Sequence, residues 1–125
     1  MGILTLLLLV TQPLNLIAED VVPKELETYT KNELIEKVYK YAKIHKNSPD
    51  KIIKTINCEN REWDIKLQSR IINKRGNRED SWGLSQIHLP SHPDITKKQA
   101  QDPDFAINYM AEHLGRDVTW SCYKK

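Results

Sequence analysis

One acidic residue stands out by its company. In the stretch NCENREWD, residues 57–64, Glu59 follows Cys58 and precedes Trp63. A carboxyl group buried beside apolar groups loses the hydration of its charged form and keeps its proton to higher pH. A carboxylic acid still protonated near neutral pH can act as a general acid. Glu59 is therefore the candidate catalytic residue, and an apolar pocket is its expected setting. The later stretch EDSWGLSQIHLPSHPDIT, residues 79–96, supplies binding candidates. Gln86 carries a carboxamide that can both donate to and accept from ligand hydroxyls. Gly83, three residues before it, permits close approach of a backbone. Ser69 and Ser81 are both candidates to hold the Glu59 carboxyl, and Ser81 is also a candidate ligand contact.

Other chemistry is less well served. His88 and His92 are spaced as in a zinc-binding helix, but Pro90 between them breaks that helix, and no third ligand is evident. No metal or cofactor is expected. Cys58 falls near a helix end where the dipole does not activate a thiol, so it is a poor nucleophile. Asp64, Glu79, Asp80 and Asp94 lie in or beside an insert and read as surface or turn residues. Of Trp63, Trp82 and Trp120, Trp82 is the best candidate for stacking on a ligand, and Trp120, beside Cys122, is expected in the core. Tyr109 is expected to face the cleft or the core.

The elements that must position these groups are mainly helical. TKNE at 30–33 is a capping box opening a helix of about four turns, with Leu34, Ile35, Val38, Tyr39 and Ala42 at helical spacing. Ser48 and Pro49 start a second helix, which carries Ile52, Ile53 and Ile56 and ends near Glu59. Residues 61–80 change character, and 64–80 are expected to form a small hairpin insert. Thr96 caps a single turn. Asp102 and Pro103 start a last helix bearing Phe105, Ala106, Tyr109, Met110 and His113, with Gly115 as its stop. The expected class is α+β, mainly α.

The chain has 125 residues, enough for one domain. Its formal charge of +2 argues against nucleic acid as a partner but tolerates an anionic polymer such as a bacterial cell wall. Residues 1–18, MGILTLLLLVTQPLNLIA, hold no charged side chain and read as a secretory signal peptide, too short to span a bilayer. Residues 19–125 then form the exported domain, secreted or periplasmic and expected to be monomeric. With export, Cys58 and Cys122 are expected to pair.

Residues 48 to 115 resemble the lytic transglycosylase domain of the lysozyme-like superfamily. CENREW supplies the acidic residue that ends a helix, with Asn60 where the family has Ser. SWGLSQI gives Gly83, Leu84, Gln86 and Ile87 in register. DPDFAI gives Asp102, Pro103 and Ile107, with Ala106 in place of Asn, and His113 stands where Tyr is usual. The resemblance implies a lysozyme-like fold and cleavage of the β-1,4 bond between N-acetylmuramic acid and N-acetylglucosamine in peptidoglycan. Glu59 would be the single acid and base, leaving 1,6-anhydromuramoyl ends. Gln86, Ser81, Gly83, Trp82 and Tyr109 would contact the glycan. A lysozyme-type hydrolase is the nearest alternative. The departures at Asn60, Ala106 and His113 also admit a secreted module that binds glycan without cutting it.

Overall fold

The computed structural model describes residues 28–123. The expected signal peptide, residues 1–18, lies outside the described residues. Among them are four α-helices and one two-stranded antiparallel hairpin, an α+β and mainly helical arrangement.

Helix α1, Lys31–His45, opens on the full capping box, with Thr30 accepting from the Glu33 amide and Glu33 accepting from the Thr30 amide. Leu34, Val38 and Ala42, spaced by fours, are its buried stripe. Helix α2, Pro49–Glu59, is capped by Ser48 and buries Ile52, Thr55 and Ile56. Helix α3, Lys97–Ala100, is the single turn that Thr96 caps with Gln99. Helix α4, Pro103–His113, starts where the Asp102 carboxylate accepts from the Asp104 amide. Its buried residues are Pro103, Ala106, Ile107, Met110 and Ala111.

Helix α1 packs chiefly on α4 and then on α2. The shared core also takes in Trp63, Leu84, Leu114 and Trp120. Leu84 is wholly buried, so the turn that carries Gln86 is anchored into the helical layer by its own side chain. Burying a leucine contributes roughly 2 kcal/mol.

The strands are not where the sequence placed them. Strand β1, Ser81–Trp82, pairs with β2, Ile87–His88, with Ser81 opposite His88 and Trp82 opposite Ile87. The hairpin thus surrounds the Gly-Leu-Ser-Gln turn. Residues 64–80 form turns, with isolated bridges at Gln68–Trp82 and Ile72–Arg78. The reason is burial. Ile71 and Ile72 are each 61% exposed, so residues 71–78 press no apolar side chain against the core, and an unsupported two-stranded ribbon is marginal. Its tip is held locally: the Asn73 side chain accepts from the Arg75 and Asn77 amides.

Candidate active site

Glu59 is the last residue of α2. The next residue, Asn60, turns the chain and is 1% exposed. Its amide nitrogen donates to the carbonyls of Asp64 and Gly83, at 2.8 and 3.1 Å, and its Oδ1 accepts from the Asp64 amide. One buried side chain therefore ties the end of α2 to the hairpin turn.

The Glu59 carboxylate is not set in an apolar pocket. It is half-buried, and its Oε1 accepts from the Ser121 hydroxyl at 3.0 Å and the Cys122 amide at 3.1 Å. Neither expected serine holds it. Ser69 is buried elsewhere and accepts from the Ile71 amide, while Ser81 donates to Glu79. The physical cause is the disulfide between Cys58 and Cys122, whose Cα atoms are 5.8 Å apart. It draws residues 121–122 alongside the end of α2. A carboxylate there meets the partial negative charge of the helix C-terminus, and the two donors offset that cost.

Glu59 opens onto a cleft of about 360 Å³ that Ser81, Gln86, Tyr109, Trp120 and Ser121 also line. Gln86 has a left-handed backbone, φ 47°, and its side-chain amide donates to the carbonyls of Leu67 and Gly83 at 3.1 and 2.8 Å. Tyr109 stands edge-on to Trp120 and reaches His92 with its hydroxyl at 3.3 Å. Burial pushes the Tyr109 phenol above its ordinary pKa. Trp120 is 5% exposed and donates its indole N–H to the Ser85 carbonyl, so it is core and cleft wall together.

Two expected contacts lie outside this cleft. The Trp82 indole donates to the Asp80 carboxylate, and the Lys97 ammonium sits 4.1 Å from its ring centroid, so one face of the ring is already occupied. Gly83 has φ +80°, and a Cβ there would come within 1.9 Å of the Ala100 carbonyl oxygen. The backbone that needs a glycine is that of α3, not a ligand's neighbour. Trp63 is also core: it is 5% exposed and donates to Asn57.

Glu79, expected to be a surface or turn residue, belongs to the cleft instead. It is half-buried, lines the same cleft as Glu59, and accepts from the Ser81 hydroxyl at 2.7 Å. The available signal was alternation. Along extended chain, residues 79 and 81 face one side and residue 80 the other, which is how Asp80 reaches Trp82 instead.

His88 and His92 line the cleft but engage separate partners, Ser91 and Tyr109. Among the described residues, no three His, Cys, Asp or Glu side chains group so as to hold a metal ion. Asp117 completes one wall, and its bond from His113, 2.7 Å long, holds its carboxyl below the ordinary range. Compared with known protein families, with curated proteins and with solved structures, the chain matches none of them.

Proposed function

We propose that the protein cuts the β-1,4 bonds of peptidoglycan glycan strands, with Glu59 as general acid and base, on a lysozyme-like domain of the lytic transglycosylase kind. The observation that carries this reading is the Glu59 carboxyl opening onto a cleft shared with Gln86, Ser81 and Tyr109. Glu59 gives its proton to the departing glycosidic oxygen. The resulting carboxylate takes the proton of the muramic acid 6-hydroxyl as that oxygen closes on C1. The product is a 1,6-anhydro end, and no water is consumed. During these steps the Ser121 hydroxyl and the Cys122 amide hold the Glu59 side chain in place.

A second reading, hydrolysis, is favoured by one observation: Glu79 shares the cleft, so a second carboxylate is at hand to activate water or form a glycosyl ester. Export also fits, since a disulfide persists in oxidising compartments, and no helix of the described residues is long and apolar enough to cross a membrane.

Mass spectrometry of digested peptidoglycan tests both readings. Anhydro ends are expected from the wild type, reducing ends would give the hydrolase, and Glu59→Gln should lose at least about 100-fold in rate. A wild type that clears no peptidoglycan, or a Glu59→Gln protein that clears it equally well, ends the catalytic reading.

A further inference from the structure

The cleft has a polarity that the reaction alone does not require. Its lining carries three carboxylates, Glu59, Glu79 and Asp117, with His88 and His92 bonded to Ser91 and Tyr109, and no Lys or Arg, in a chain that has 19 of them. The neutral side chains around the acid add to this. A serine hydroxyl has one hydrogen to give, and Ser81 gives its own to Glu79. Ser121 gives its hydrogen to Glu59. Gln86 spends both amide hydrogens on main-chain carbonyls, Leu67 and Gly83. Exchanging its oxygen and nitrogen would set oxygen against oxygen, so that orientation is fixed by its partners. What Ser81 and Gln86 retain for a ligand is lone pairs, the Oγ of one and the Oε1 of the other. The Glu79 carboxylate and these two oxygens therefore ask for hydrogen-bond donors, and the charge on Glu79 asks for a positive one.

We infer that the glycan held here presents a protonated primary amine to the wall formed by Glu79, Ser81 and Gln86. The amine belongs to a sugar that has lost its N-acetyl group or to the side chain of an attached stem peptide. An ammonium supplies three donors and one positive charge, which matches the acceptors left over. An N-acetyl group supplies a single N–H together with a carbonyl to which the Glu79, Ser81 and Gln86 side chains have no hydrogen left to give. The effect is local, because the net charge of +2 would by itself repel a cationic ligand.

The inference rests on the glycan-cleaving reading for its substrate, but binding tests it without turnover. The Glu59→Gln protein is titrated calorimetrically with a glucosamine oligomer, with its fully N-acetylated counterpart and with a short lysine-containing peptide, at low salt with the amines protonated. The glucosamine oligomer should bind on the order of tenfold more tightly than the acetylated one, the scale of one hydrogen bond to a charged group. Adding Glu79→Gln should bring the ratio towards one, and Asp117→Asn should reduce it if the first double variant fails to fold. A preference for the lysine peptide alone assigns the amine to the stem peptide. Equal or tighter binding of the acetylated oligomer, with no binding of the peptide, overturns the inference. A wild type that cuts nothing while the amine preference persists overturns the cleavage reading instead.

Discussion

The Glu59 carboxylate accepts a hydrogen bond from the amide of Cys122, whose sulfur is bonded to that of Cys58, the residue just before Glu59. Covalent bond and hydrogen bond join the same two short segments, and the second depends on the first for its geometry. The chain between the cysteines is long, with a sequence separation of 64, so the bond also removes much freedom from the unfolded state.

Replacing both cysteines by serine should therefore cost about 4 kcal/mol of stability in the chain-entropy model. Denaturant unfolding of the wild type with and without reductant checks this. Peptidoglycan clearance should fall further than the loss of folded protein explains, because Ser121 and the Cys122 amide are no longer held against Glu59.

Asn60→Ala should cost about 2–4 kcal/mol. It deletes three hydrogen bonds of a side chain that is 1% exposed and takes away the oxygen to which the Asp64 amide donates. A urea midpoint shifted to lower concentration at an unchanged slope is the expected result. An unchanged midpoint would show that the end of α2 and the hairpin turn are held by something else.

Gly83→Ala should cost about 3 kcal/mol or more, since the new methyl collides with the Ala100 carbonyl at a left-handed backbone position. Trp82→Ala, one residue away, should cost only about 1 kcal/mol, the scale of its cation–π contact with Lys97, and should leave glycan cleavage nearly unchanged. A large loss of cleavage in a folded Trp82→Ala protein would place this ring on the substrate after all.

Acid should loosen the contact between α1 and α4. Burial works against the Asp104 carboxylate, but the bonds from Lys37 and Tyr41 outweigh it and hold its pKa below the ordinary 3.8. The folded value is thus lower than the unfolded one. The stability it contributes is fully present above about pH 4 and is lost as pH falls through the folded pKa. Asp104→Asn should flatten that part of the stability–pH curve. At the other extreme, burial and the bond to Asp104 push Tyr41 up to about 12, so ionising it costs stability as pH rises from 10 towards that value.

What the sequence disclosed followed the range of the forces involved. Thr30, Ser48, Thr96 and Asp102 were readable as caps because each bonds an amide two or three residues away. The pairing of Cys58 with Cys122 was readable because no other cysteine competes. The partners of Glu59 were not, because Ser121 and the Cys122 amide arrive from 62 and 63 residues further on, and no local pattern marks them. Gly83 was assigned to the right place for the wrong neighbour, since only packing reveals that α3 lies against it. Glu79 looked like one more surface acid until the fold turned it inward beside Ser81.

The tail segment that grips Glu59 gives the acid a history as well as a position. During synthesis, the helix bearing Glu59 is finished long before the residues that steady it leave the ribosome, and the clamp closes only after the thiols have met an oxidant. A nascent or reduced copy carries the same glutamate without its two donors. Completion of the grip on Glu59 is thereby tied to arrival in an oxidising place.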